Sequence, residues 1–209
     1  NLLQAGREAG VSRMVIASSA AVYGDNESIP LREDAQPRFL SPYAASKHIN
    51  ENLAGLYTRA FNFEVTCLRY FNVYGPRQNP DSYYAAAIPI FIKRCLADIP
   101  ITIYGDGRQT RDLIFVKDVV RANIIAAKHA DAPGMIFNVC SGREIEILDL
   151  IEIIRKQFQD APKPVFSEPR PGDIYQSVGD PSKAQQKLGF SPATSLVDGL
   201  KETVEWMRT

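Results

Sequence analysis

Short apolar runs and longer stretches of helical period take turns along the chain. Arg13-Met14-Val15-Ile16-Ala17-Ser18-Ser19 reads as a buried strand that runs into a pair of hydroxyls, and Val22-Tyr23-Gly24 then turns the chain. Residues 24 to 40 are polar and broken by Pro30 and Pro37, the composition of a surface loop. Ser41 is placed to cap a helix whose first position is Pro42, where a missing N–H costs nothing, and Ile49, Leu53 and Leu56 carry its apolar stripe to about Ala60. A second apolar strand covers 65–71, and Gly75-Pro76 follows as a breaker.

A helical pattern spans 85–97, with Pro89 tolerable only in its first turn. Ile99 to Tyr104 predicts a short strand, Gly105-Asp106-Gly107 a turn, and Leu113 to Val116 another strand. Residues 117–129 are helical with Val120, Ile124 and Ala127 on one face, 135–139 return to a sheet, and 147–158 form a strongly apolar helix. Pro162 to Gly172 is extended around a short strand, Val165-Phe166-Ser167. Asp180-Pro181 starts a helix that ends at Leu188, and Ser195 starts a terminal one spaced Leu196, Leu200, Val204, Met207. Asn1 to Gly10 reads as the back half of a helix with no cap ahead of it. The alternation predicts an α/β fold, ordered as the C-terminal portion of a doubly wound parallel sheet with a smaller α/β lobe.

A chain of 209 residues can bury a sizeable core. Its 24 basic residues balance 24 acidic ones, which removes any bulk electrostatic attraction to nucleic acid or a membrane surface. No apolar run approaches the roughly 20 residues of a membrane span, and no signal-peptide pattern opens the chain. Cys67, Cys95 and Cys140 lie in apolar segments without metal-ligand spacing, as small core residues of a reducing compartment, the cytoplasm. His48 and His129 fall on helix surfaces, and no metal site is expected.

In an open α/β sheet the carboxyl ends of neighbouring strands converge on one crevice, where ligands bind. Here that crevice would hold Ser19, Tyr43, Lys47 and Asn72. Tyr43 and Lys47, four positions apart, share a helix face, and an ammonium beside a phenol favours phenolate, so that the Tyr can take and return a proton.

Five pieces then follow one another in a familiar order: Ser18-Ser19-Ala20-Ala21-Val22-Tyr23-Gly24, Tyr43-Ala44-Ala45-Ser46-Lys47, Leu68-Arg69-Tyr70-Phe71-Asn72-Val73-Tyr74-Gly75-Pro76-Arg77, Ile103-Tyr104-Gly105-Asp106-Gly107-Arg108-Gln109-Thr110-Arg111-Asp112 and Arg170-Pro171-Gly172-Asp173. In them the chain resembles the extended short-chain dehydrogenase/reductases and, within these, the nucleotide-sugar 4-epimerases. The resemblance implies that residues 1–80 are the remainder of an NAD-binding Rossmann domain carrying the catalytic Ser, Tyr and Lys. Residues 81–209 are then mainly a nucleotide-sugar-binding lobe, with segments near 112–140 returning to the Rossmann sheet. Members of the family carry roughly a hundred further residues ahead of this point, with the Gly-rich turn that cradles a dinucleotide's pyrophosphate. No such glycine pattern occurs here, so the chain is expected to be a fragment.

By the same resemblance Ser19 bonds the sugar's 4-oxygen and shares its proton with Tyr43, with Ser18 as the alternative hydroxyl and a cofactor contact. Lys47 also bonds the nicotinamide ribose, and Tyr70 lines the nicotinamide pocket. Asn72 meets the diphosphate side of the substrate, Arg111 and Arg170 clamp the two phosphates, and Asp173 completes the turn that aims Arg170. The backbone of Thr102 to Tyr104 pairs with the uracil edge while the Tyr104 ring packs on it. Ser177, four residues after Asp173, faces the sugar's second carbon and leaves room for an acetamide. The implied activity is NAD-dependent 4-epimerisation of a UDP-hexose through a 4-keto sugar, on the N-acetylglucosamine/galactosamine pair and also on glucose/galactose. The partner is a UDP-sugar, with a homodimer formed in the full-length protein through the helix of Tyr43 and the helix before the first strand. A 4,6-dehydratase is disfavoured by Ala20 and Ala21, which stand where that branch carries Asp-Glu. The residues leave open a uronate epimerase, a decarboxylase, and a UDP-sugar-binding piece without turnover.

Overall fold

The computed structural model describes residues 1–82, 86–170 and 172–209. The expected start of the third helix at Ala85, and Pro171 of the Arg-Pro-Gly-Asp turn, lie outside the described residues. In chain order the elements are α1 (Leu2–Glu8), β1 (Arg13–Ser19), a 3-10 turn (Ala20–Tyr23), α2 (Pro42–Phe61), β2 (Glu64–Tyr70), β3 (Asn72–Tyr74), α3 (Ala87–Leu96), β4 (Thr102–Tyr104) and β5 (Thr110–Phe115). They continue with α4 (Val116–Lys128), β6 (Ile136–Val139), β7 (Glu144–Glu146), α5 (Ile147–Arg155), β8 (Val165–Ser167), α6 (Ser182–Leu188) and α7 (Leu196–Met207).

Three small sheets share the strands. The principal one is parallel throughout, in the order β1-β2-β6, with Arg13 opposite Glu64 and Ser19 opposite Tyr70. Residues paired in a parallel register point to the same face, so Ser18 and Arg69 face one side and Ser19 and Tyr70 the other. Helix α2 packs on the first side and α4 on the second. A second sheet, β3-β5-β7, carries Asn72 and Arg111, and the third pairs β4 with β8.

The local chemistry of α2 follows its sequence. The Ser41 hydroxyl accepts from Ala44 N–H at 3.1 Å, Pro42 opens the first turn, and Asn62 closes the helix in the left-handed region with φ 52°. Pro89 sits in the first turn of α3, where it is tolerated. Which stripe is buried differs from expectation. Ile49, Leu53 and Leu56 of α2, and Val120 and Ile124 of α4, are between 41% and 56% exposed, and Ala127 is exposed beside them. The sides turned to the sheet are Ala44, Glu51 and Ala54 in α2, and Asp118, Val119, Ala122 and Ala126 in α4. Small side chains let a helix lie close on a sheet, so the largest apolar stripe is not the one that is buried.

Of four apolar clusters among the described residues, two are largest. One joins α3, α5 and α7 around Ile92, Ile103, Leu150, Ile154 and Leu200; the other packs α4 and α6 against the principal sheet around Leu68, Ile114, Phe137 and Phe190. The terminal helix buries Leu200 and Val204, with Leu196 and Met207 packed at the margin of the first core. Cys67, Cys95 and Cys140 are buried free thiols. Helix α5 ends at Arg155, three residues before the expected Phe158, and β3 and β7, three residues each, carry no strand pattern of their own in the sequence. Among the described residues no helix is long and apolar enough to cross a membrane.

One buried carboxylate braces the end of β5. Asp112 accepts from Ser141 N–H and the Ser141 hydroxyl at 2.7 Å each, from Gly142 N–H at 3.0 Å and from Gly179 N–H at 3.1 Å. Gly179 has to be glycine there, because a Cβ would stand 2.6 Å from the Phe71 ring and 2.7 Å from Cys140 Sγ.

Candidate active site

The end of β1 carries the first half of the site. Ser19 caps the 3-10 turn, its oxygen accepting from Ala21 N–H at 3.1 Å, so its own O–H hydrogen is left to donate elsewhere. Lys47 Nζ donates to Ala17 O at 3.0 Å, two residues upstream, and stands 5.5 Å from the centre of the Tyr43 ring. Tyr43 lies in the first turn of α2 and is 54% exposed. Helix α2 also packs on the 3-10 turn, which puts the group of Tyr43 and Lys47 on the element beside the turn that Ser19 caps.

Ser18 is not in that group. It is buried, and its hydroxyl donates to Glu51 Oε1 at 2.6 Å. Tyr70 faces the α4 side, half-buried, with its hydroxyl donating to Asn123 Oδ1 at 2.8 Å. Burial raises its pKa above the ordinary phenol value, against the Asn123 bond that lowers it.

The second half is a cavity of about 410 Å³ beside β3, β4 and β5. Asn72, Thr102, Tyr104, Arg111, Arg170 and Asp173 all line it, together with apolar side chains of α3 and α5 such as Ile88, Phe91 and Leu150. The Arg170 guanidinium lies 3.8 Å from the Tyr104 ring centre, and its bond and charge hold the Tyr104 hydroxyl below its usual pKa. Arg111 donates to Asp173 at 2.5 Å and to Thr110 O at 2.7 Å. Burial pulls the Arg111 pKa down, and the Asp173 charge opposes that. Asn72 reaches Asp112 O at 3.0 Å. A wall with two guanidinium groups and a flat aromatic ring suits a planar base joined to a diphosphate.

Two supports of this wall are not singled out by the sequence. Arg94 donates to Pro100 O at 2.7 Å and Thr102 Oγ1 at 2.9 Å, and Gln109 donates to Tyr104 O at 2.8 Å, so both hold β4 in place. Glu51 and Arg69 are a third case, although Glu51 recurs at the four-residue spacing of Tyr43 and Lys47 and could have been found by it. Ser177 does not line the cavity. It is half-buried one residue beyond Gln176, where a second hollow of about 460 Å³ ends; that hollow is lined by Asp25, Glu27, Leu40 and Tyr175 and shares Asp173 with the first.

Comparison with known proteins places the chain in a family. A profile described as NAD dependent epimerase/dehydratase family matches residues 1–140. The putative UDP-glucose 4-epimerase of Methanocaldococcus jannaschii is 37% identical over 209 residues, which are all of this chain and 67% of that protein. The solved UDP-N-acetylglucosamine 4-epimerase of Methanobrevibacter ruminantium M1, in complex with UDP-N-acetylmuramic acid, superposes with a TM-score of 0.94 at 37% identity over 99% of this chain and 66% of that one. The UDP-glucuronic acid 4-epimerase of Bacillus cereus, in complex with UDP-glucuronic acid and NAD, does so with a TM-score of 0.90 at 35% identity over 99% of this chain and 65% of that one. The chain thus spans about two thirds of the length of these relatives. On its profile match, its identity to these enzymes and its fold, the chain belongs to the NAD-dependent epimerase/dehydratase family.

Proposed function

We propose that this chain carries the catalytic Ser, Tyr and Lys and the nucleotide-sugar cavity of an NAD-dependent UDP-hexose 4-epimerase. The observation that carries the reading is the end of β1, where Lys47 stands beside Tyr43 and the Ser19 hydroxyl hydrogen is free. Tyr43 removes the proton of the sugar's 4-hydroxyl and returns it after the sugar has turned over; Ser19 holds the same oxygen by a donated hydrogen bond and passes the proton. Lys47 keeps positive charge next to the phenol, and its remaining N–H groups suit a ribose hydroxyl. These residues fit a nicotinamide nucleotide: an ammonium that spends one donor on Ala17 O and an exposed phenol sit together at the crevice of a parallel sheet, and no Gly-rich pyrophosphate motif occurs in the sequence. NAD, when bound, takes the C4 hydride and gives it back to the other face of the 4-keto sugar, so the net redox change is zero.

The nucleotide would lie in the cavity of Tyr104, Arg111 and Arg170, with Asn72 and Asp173 at its phosphate end. Arg111 would exchange part of its Asp173 bond for phosphate oxygen. We assign both UDP-N-acetylglucosamine/galactosamine and UDP-glucose/galactose as substrates: the small Ser177 follows Gln176 of the second hollow, which shares Asp173 with the nucleotide cavity, and a roomy pocket there would discriminate weakly against a smaller sugar. The exposed stripe of Ile49, Leu53 and Leu56 supports a dimer formed through α2. The test is sugar-nucleotide interconversion by the gene-encoded protein, with any residues that precede Asn1. Both substrate pairs should equilibrate, and Ser177→Tyr should lower kcat/KM for the N-acetyl pair at least tenfold relative to the other. Failure to interconvert either pair would overturn the reading, and an unchanged ratio would remove Ser177 from the sugar site.

A further inference from the structure

Glu51 lies on α2 one turn past Lys47 and two turns past Tyr43, so the three project from one side of the helix. It is 3% exposed, and its partner Arg69 on β2 is 2% exposed. Arg69 approaches with both arms of its fork, Nε to Oε1 at 2.7 Å and Nη2 to Oε2 at 2.8 Å. The Ser18 hydroxyl donates to the same Oε1 at 2.6 Å. Since Ser18 and Arg69 are register partners in β1 and β2, a single carboxylate ties α2 to two adjacent strand ends, one residue before Ser19. Arg69 is itself fixed from behind: Nη1 donates to Glu33 O at 3.2 Å, and its guanidinium lies 4.7 Å from the Tyr23 ring centre, whose hydroxyl donates to Asn138 at 2.6 Å.

A buried ion pair adds little net stability, because apolar side chains of the same volume would hold the helix about as well. What the fork supplies is direction, since it accepts a carboxylate in one orientation only. The other residues α2 buries are Ala44 and Ala54, whose methyl groups allow the helix to slide and roll on the sheet. We infer that Glu51, held by Arg69, is a positioning residue that fixes the rotation and axial register of α2 on the end of β1 and thereby sets where Tyr43 and Lys47 stand relative to Ser19. Ser18 is the strand-side anchor of this clamp rather than a group that meets the substrate.

The inference rests on the proposed function, in which Tyr43 and Ser19 share one proton. It is tested in the gene-encoded protein with the double variant Glu51→Gln/Arg69→Met, which removes both charges and keeps the volume, and with Arg69→Lys, which keeps the charge and loses the fork. The readouts are kcat and KM for UDP-N-acetylglucosamine epimerisation and the thermal shift caused by UDP. The clamp predicts a fall in kcat of at least 30-fold in the double variant and at least fivefold in Arg69→Lys, with KM within threefold and the UDP shift intact. A role confined to stability would leave kcat of the folded protein within threefold of the parent, and that result would overturn the inference, as would loss of kcat in step with loss of the UDP shift. Should the double variant fail to fold, Arg69→Lys decides by the same criteria. An inactive parent would reject the proposed function and the clamp together, whereas an active parent with active variants would reject the clamp alone.

Discussion

The Ser19 oxygen caps the 3-10 turn, and under the proposed function its hydrogen goes to the sugar's 4-oxygen. Its neighbour Ser18 has given its hydrogen to Glu51, which shows how the side of a strand a residue faces decides whether a hydroxyl is structural or available. The Glu51 carboxyl feels burial, which would raise its pKa, but the Arg69 fork and charge and the Ser18 and His48 contacts outweigh that and hold it below the ordinary carboxylate value. The sign of the linkage follows. Because the folded-state pKa lies below the unfolded one, the contribution is complete above the ordinary Glu range and is lost as pH falls through the folded value. Thermal melts between about pH 5 and pH 3, spanning the ordinary Glu value of about 4.3, should therefore show a steeper loss of Tm in the parent than in Glu51→Gln/Arg69→Met. Equal acid slopes would mean that the pair is not ionised as drawn.

At the scale of elements, α2 is both the carrier of Tyr43 and Lys47, the proposed catalytic pair, and the element the sequence described most unevenly. Its start is written in Ser41 and Pro42, because capping is local chemistry. Its burial is not, because a helix meets a sheet through whatever side chains permit close approach, here Ala44, Ala54 and the paired Glu51, and leaves Ile49, Leu53 and Leu56 outside. The same inversion occurs in α4, where Ala122 and Ala126 are buried and Val120 and Ile124 are not. Periodicity finds a stripe but cannot say which surface covers it. Likewise β7 has no local signature, since its three residues are a strand only by pairing with β5. If the α2 stripe is the dimer contact, Leu53→Glu in the gene-encoded protein should give a monomer in sedimentation with kcat changed less than fivefold. A dimer that survives the charge would place the contact elsewhere.

Over the whole molecule, the cavity beside β3, β4 and β5 and the proposed proton-transfer residues are built from different parts of the chain. Asn72 ends the run that begins in β2, whereas Tyr104, Arg111, Arg170 and Asp173 come from the lobe of β4, β5 and the segment after β8. The motif pieces contain Asn72, Tyr104, Arg111, Arg170 and Asp173 of its lining; Arg94 lies outside them, and the bracing roles of Gln109 and Asp112, though both lie inside one piece, were not legible, because each acts on backbone that only the fold brings near. Asn72, Tyr104, Arg111, Arg170 and Asp173 of the cavity all belong to this chain, so UDP at 100 times its Kd should stabilise residues 1–209 by about 2.7 kcal/mol, on the order of 5–10 °C for a chain of this size. Arg111→Ala should abolish most of that shift, and a shift that survives it would move the diphosphate away from Arg111. The central claim is that Tyr43 moves the proton in 4-epimerisation. It is tested most directly by comparing Tyr43→Phe with the parent gene-encoded protein in single-turnover and steady-state interconversion of UDP-N-acetylglucosamine and its galacto epimer. The account predicts a loss of kcat well beyond tenfold with UDP binding retained, whereas turnover within about tenfold of the parent, a barrier change near 1.4 kcal/mol, would contradict it.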